Sequence, residues 1–186
     1  FGDFGSGGTG GGDPLEGLTS VDIDDPAAPT EPGTTEALPD GGIRMTGTGF
    51  SIFDAAGDIM HFTYEEITGD FDKRVQISAI DTDNNWGRGG IMARESLDNF
   101  SPAFKAIVSG LNSNLNAEGN PQGANQIRFA ARFNPDAGWT TISRALGGVA
   151  DAMPNQWIRL QRVGNYFAMY ASADGESWAL IGEKYT

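Results

Sequence analysis

Apolar and polar residues alternate along this chain in short runs, and that rhythm constrains its fold more than any other feature. In FDKRVQISAI, Phe71, Val75, Ile77 and Ala79 fall together, with Asp72, Arg74, Gln76 and Ser78 opposite. In DIMHFTYEEI, Met60, Phe62 and Tyr64 oppose Ile59, His61, Thr63 and Glu65. In QIRFAARF, Ile127, Phe129, Ala131 and Phe133 oppose Arg128 and Arg132. A period of two marks a strand with one face in a core, because successive Cβ atoms leave a strand on opposite sides. IRMTGTGFSIF, RGGIMARES, AFKAIVSGL, WTTISRAL, WIRLQRV and YFAMYAS continue the series, with turn residues between them. No run carries the period of an amphipathic helix. Short, evenly spaced strands predict an all-β sandwich or barrel, with Phe62, Tyr64, Phe71, Val75, Ile77, Ile127, Phe129, Leu160 and Phe167 mostly buried.

The turns agree with the strands. RVGNYF turns at Gly164-Asn165 and SADGES at Asp174-Gly175, dipeptides that supply the positive φ angles of tight hairpins. The sialidase repeat S-x-D-x-G-x-T-W keeps one residue between Asp and Gly. SADGESW keeps none and occurs once, so it reads as a turn. LTSVDID alternates as a first strand, and DDPAAPTEPGTTEALPDGG reads as a long Pro-punctuated connection. The opening FGDFGSGGTGGGDP cannot by itself bury enough surface to offset its ordering entropy. The expected organisation is a Gly-rich tail over residues 1–17 and a β-domain over 18–186. Phe1 and Phe4 are out of place in a mere spacer and are expected to dock, in a groove or on a sheet edge, on another copy.

Charge narrows the partners. The chain has 25 acidic residues against 12 basic ones, a net charge of −13. Phosphate backbones and anionic lipid repel such a chain, which argues against nucleic-acid or membrane-surface binding. No apolar run approaches the roughly 20 residues of a membrane helix, so no membrane insertion is expected. Cysteine is absent, which excludes disulfides and leaves the redox compartment open.

Catalytic constellations are missing from the sequence. A glucanase-type hydrolase needs two carboxylates on one cleft, usually from an E-x-D-x-E strand whose spacing points all three acids one way. No such string occurs. Adjacent Glu65 and Glu66 leave a strand on opposite faces, and Gly69 separates them from Asp70 and Asp72. The single histidine, His61, lies mid-strand without the context of a nucleophile. The chain reads as a non-enzyme. Calcium is the plausible metal, with oxygen ligands from Asp22 and Asp24 in DIDD and from Asp81 and Asp83 in DTDNN, although neither forms a full EF-hand loop. Trp86 and Trp139 sit at loop–strand junctions and are the candidate stacking platforms for a sugar. Arg74, Arg128 and Arg132 lie on polar strand faces. If their strands are neighbours they form a cationic stripe for an anionic partner.

Several phrases together resemble a known family. DIMHFTYEEITGDFDKRVQI, NNWGRGGIMARES and WIRLQRVGNYFAMYASADGESWALIG are similar, in that order, to the bacterial concanavalin A-like, laminin-G-like jelly-roll domains, and LTSVDIDDP resembles their first strand. The resemblance spans about Leu18 to Tyr185. It implies a two-sheet antiparallel jelly-roll sandwich in secreted or cell-surface proteins often associated with polysaccharide. Family members usually continue past the Trp178 hairpin with further strands, whereas this chain stops at GEKYT, so one or two final strands are expected to be missing or supplied by another chain. Two functions are therefore expected: a structural or adhesive surface module that self-associates head to tail into filaments, or a carbohydrate-binding module of a larger secreted protein.

Overall fold

The computed structural model describes residues 12–24, 30–49, 57–81, 87–109, 126–135, 137–146 and 156–186. Among the described residues twelve strands run in chain order as β1 (Thr19–Ile23), β2 (Thr34–Ala37), β3 (Ile43–Thr46), β4 (Met60–Tyr64), β5 (Phe71–Ile77), β6 (Arg88–Arg94), β7 (Ala103–Ser109), β8 (Gln126–Arg132), β9 (Thr140–Leu146), β10 (Gln156–Val163), β11 (Tyr166–Ser172) and β12 (Ala179–Tyr185). Every pairing is antiparallel, and there is no helix among the described residues. Two four-stranded sheets, β12-β11-β10-β5 and β6-β7-β8-β9, carry the core between them, and the pairs β1-β4 and β2-β3 form two smaller sheets.

Alternation decides which residues enter that core. Phe104, Ala106 and Val108 of β7 and Ile127, Phe129 and Ala131 of β8 meet Ile158 and Leu160 of β10 and Phe167, Met169 and Ala171 of β11. Phe104 and Phe167 stack across the two layers with ring centroids 3.9 Å apart. Phe71, Val75 and Ile77 pack against this cluster half-buried. Phe62 and Tyr64 depart from the sequence expectation. They are also half-buried, but they stack on one another at 5.6 Å rather than joining the core.

Both late hairpins turn where the sequence places them, with Gly164 at φ 57° and Gly175 at φ 77°. Asp174 caps the second turn: its Oδ1 accepts the backbone N–H groups of Glu176 and Ser177 and the Ser172 hydroxyl. Those bonds hold its carboxyl well below the usual carboxylate range. A side chain at Gly175 would also strike the Trp157 ring at 2.9 Å, so the turn packs closely against the start of β10.

Two features were not expected. β2 lies inside the stretch read as an irregular connection, pairing Thr34 with Thr46 and Ala37 with Ile43. In addition, β7 is buried on both faces along its whole length, Lys105 included.

Candidate functional site

The second face of β6-β7-β8 carries the candidate site. With Phe104, Ala106, Val108, Ile127, Phe129 and Ala131 turned inward, the period of two sends Lys105, Arg128 and Arg132 to the opposite face. On β6, Ile91 and Ala93 pack against the core, which places Arg88, Met92 and Arg94 on that same outer face. The register then assembles them. Arg94 lies opposite Ala103, Met92 opposite Lys105 and Arg88 opposite Ser109. Across the other edge of β7, Ala103 faces Arg132 and Ile107 faces Arg128.

One end of this face is closed around Asp58, which is fully buried. Arg132 grips its carboxylate with both terminal nitrogens, Nη2 at 2.6 Å and Nη1 at 3.3 Å. Arg94 Nη1 reaches it at 3.3 Å, and Trp139 Nε1 donates to it at 2.9 Å. The remaining guanidinium donors organise residues 96–101. Arg132 Nε donates to the Ser101 carbonyl and Nη2 to that of Asn99, while Arg94 Nε donates to the Ser96 carbonyl and Nη2 to that of Asp98. A backbone bond from Asp58 N to the Asn99 carbonyl at 2.8 Å ties the aspartate to the same loop. Gly57, at φ 89° and within 2.8 Å of the Asn99 side chain at its would-be Cβ, lets the chain enter there.

Lys105 extends beneath the Trp139 ring, with Nζ 3.2 Å from the ring centroid, and Arg132 Cζ lies 4.8 Å from the same ring. Burial pushes the Lys105 ammonium down to about 6. Asp58 opposes the shift, while Arg88, Arg132 and Arg128 reinforce it. Burial and the nearby Arg128 likewise lower Arg88. At the other end of the face Arg88 and Arg128 are half-buried and Gly90 is exposed, while Ile107 and Ser109 of β7 between them are buried. A Cβ at Gly90 would lie 2.1 Å from the Ala106 carbonyl oxygen, so that position stays bare.

The residues singled out in the sequence divide as follows. Trp139 belongs to the site, but the Lys105 ammonium occupies one of its ring faces, so it is not a platform open on both sides. Trp86 lies outside the described residues, as do Asp83 and the tail residues Phe1 and Phe4. Arg128 and Arg132 share the face described, with Arg132 buried rather than on an exterior. Arg74 does not join them. It lies on β5, opposite Arg159 of β10, on the outer face of the other sheet. The stripe's third member is therefore replaced by Arg88, Arg94 and Lys105, which β6 and β7 bring alongside.

Asp22 and Asp24 both accept hydrogen bonds within the protein. Asp22 Oδ1 accepts from Gly33 N and lies 2.7 Å from His61 Nδ1, while Asp24 accepts from the Thr30 backbone N–H and hydroxyl. Asp81 is exposed, and no group of three or more His, Cys, Asp or Glu residues that could hold a metal ion occurs among the described residues. His61 is not an idle strand residue. Its Nε2 lies 2.9 Å from Thr35 Oγ1, so Asp22, His61 and Thr35 form a chain that fastens β2 onto the β1-β4 pair. Glu65 pairs with Lys73 at 2.6 Å, and Asp72 takes a guanidinium fork from Arg159.

No family model matches this chain, and no curated protein matches it. A solved structure of a functionally unknown protein from Saccharomyces cerevisiae is similar over 92% of this chain and 80% of that chain, at 15% identity and a TM-score of 0.49. A likeness that faint adds nothing to the architecture read from the strands themselves.

Proposed function

We propose that this chain is a non-catalytic binding module of the concanavalin A-like jelly-roll type, acting at a bacterial cell surface or outside the cell. In this reading its ligand, a polysaccharide, lies against the open end of the β6-β7-β8 outer face. The observation that carries the reading is the concentration of Arg88, Arg94, Lys105, Arg128 and Arg132 on one face of a chain whose net charge is −13. Cations gathered against the overall charge of a molecule mark a place where local electrostatics serve a purpose of their own. Asp58 supports a binding role rather than a catalytic one. With Arg132, Arg94 and Trp139 all donating to it, its oxygens are committed and have no opening to act as a base. A glycan array probed with the full chain tests the reading: retention of a defined glycan class supports it, and no retention on any class refutes it.

A second reading rests on β12. Among the described residues this strand pairs only with β11, and its Leu180 and Tyr185 are exposed. An open strand edge invites pairing with another chain, which suits a self-associating surface module whose Phe1 and Phe4 tail docks on a neighbouring copy. Deleting residues 1–12 abolishes assembly under this reading and leaves the circular dichroism of the fold unchanged. Assembly that survives the deletion refutes the role of the tail.

A further inference from the structure

The three most exposed large apolar side chains among the described residues share one surface, the outer face of the β5-β10-β11-β12 sheet. We propose that this face is a self-association surface, on which a second copy of the chain packs face to face about a two-fold axis. The proposal does not rest on the ligand reading of the opposite sheet, and the second copy meets the face of this sheet rather than the edge of β12.

The register places the apolar groups. Phe167, Met169 and Ala171 of β11 enter the core, which turns Tyr166 and Tyr170 outward. Val163 of β10 and Tyr185 of β12 both lie opposite Tyr166, and Leu180 of β12 lies opposite Tyr170. Tyr185, Val163 and Leu180 are 71%, 53% and 50% exposed. Tyr166 and Tyr170 lie half-buried beside them, and Arg159 Cζ sits 5.1 Å from the Tyr170 ring centroid. Tyrosine and arginine are the side chains from which interface anchors are commonly drawn.

Charge says which partner fits. The chain carries −13 as a whole, so two copies repel wherever their acidic surfaces meet. This face is an exception. With Phe71, Val75 and Ile77 of β5 and Ile158 and Leu160 of β10 turned inward, its charged strand residues are Asp72, Arg74, Arg159 and Glu183, two acids and two bases. They are matched within one copy: Arg159 forks onto Asp72, Arg74 adds its field to the same carboxylate, and Glu183 accepts the Tyr166 hydroxyl. Docking a second copy therefore leaves no orphaned charge, and a neutral surface meets itself without repulsion, as an isologous contact requires. Seven-residue strands rise about 24 Å and four strands span about 19 Å, a footprint of about 450 Å² on each copy. That falls short of the roughly 800 Å² per partner of a standard stable interface, so the contact is a reversible dimer of micromolar strength.

Sedimentation equilibrium of the full chain from about 5 μM to about 1 mM tests the surface, and the mass should climb from that of the monomer towards that of the dimer. Val163→Glu and Leu180→Glu should each weaken association about tenfold or more, with the near-ultraviolet circular dichroism unchanged. Ile43→Glu on β3, where the side chain is 40% exposed, should leave it unaltered. Val163 lies two strands from β12, so its effect separates packing through the face from pairing along the edge. Raising salt from about 50 to about 500 mM should strengthen the dimer several-fold, because salt screens the overall repulsion and no ion pair between copies is lost. Amide shifts of the unaltered chain should move with concentration at Val163, Tyr166, Tyr170 and Leu180, and this readout stands even if a variant fails to fold. A monomer at every concentration overturns the proposal. A dimer that tolerates Val163→Glu, one that salt dissolves, or one whose shifts fall outside this face overturns it as well.

Discussion

Replacing Asp58 by Asn removes one negative charge and almost no volume, and the structure sets the size of the consequence. Asp58 is fully buried, and the side chains of Arg132 and Arg94 are 1% and 3% exposed. Both guanidiniums stay charged at any pH a protein survives, so the substitution leaves two buried cations facing each other beside Lys105. Removing one partner of a buried pair costs about 3–5 kcal/mol, far more than breaking a pair in water. For a chain of this length each kcal/mol lowers the melting temperature by roughly 2–4 °C, which gives a fall of about 6–20 °C. Guanidinium unfolding followed by near-ultraviolet circular dichroism measures the free energy directly, and an unchanged m-value confirms that the same surface is exposed. Adding Arg132→Met to Asp58→Asn should cost less than the sum of the two single substitutions, because the orphaned cation is then gone. A loss under about 1 kcal/mol for Asp58→Asn, or strict additivity in the double variant, refutes the hub.

Other expectations follow from single contacts. Lys105 binds fewer protons in the folded chain than in the unfolded one between pH 6 and its ordinary value of 10.5, so its contribution makes stability rise with pH across that window. Lys105→Met should flatten the slope and stabilise the chain at neutral pH, and equal slopes in pH-dependent unfolding contradict this. Asp22 is lowered chiefly by its bond to His61, so the stability it contributes is present above the unfolded carboxylate range and is lost as pH falls through the folded value. His61→Ala should remove that acid-side component and loosen the β2-β3 hairpin to proteolysis; a hairpin as resistant as before tells against the clasp. Gly182→Ala places a methyl 2.2 Å from Ser143 Oγ, where β12 meets β9. It should cost about 1–3 kcal/mol, recovered in part by Ser143→Gly. Ser143 Oγ is buried without a hydrogen-bond partner among the described residues, so Ser143→Ala alone should be neutral or stabilising, and a loss above about 1 kcal/mol contradicts that.

The strands were legible because each one is a local statement. FDKRVQI and QIRFAAR announce their inward faces by alternation alone, and Gly164 and Gly175 announce their turns. β2 escaped notice because TTEA is short and lies among prolines; the signal was present in its adjacent threonines and the Pro39-Asp40-Gly41 turn after it. The hub was not legible at all. Asp58 meets Arg94, Arg132 and Trp139 from 36, 74 and 81 positions away, and no local pattern encodes such a meeting. Arg128 and Arg132 were recognised as facing one way, but the choice of neighbours belongs to strand order, which placed Arg74 in the other sheet. Lys105 carried the clearest unused signal: a lone cation within the otherwise apolar AFKAIV.

The central claim is that the outer face of β6-β7-β8 binds a ligand at its open end. Amide chemical-shift mapping of the isotopically labelled chain during titration with an oligosaccharide of the class retained on the glycan array tests it most directly. The account predicts that saturable shifts concentrate at Arg88, Gly90, Ile107, Ser109 and Arg128 and leave β12 and the β2-β3 hairpin unmoved. Shifts confined to β12 or to that hairpin, or no saturable shifts at all, would contradict it.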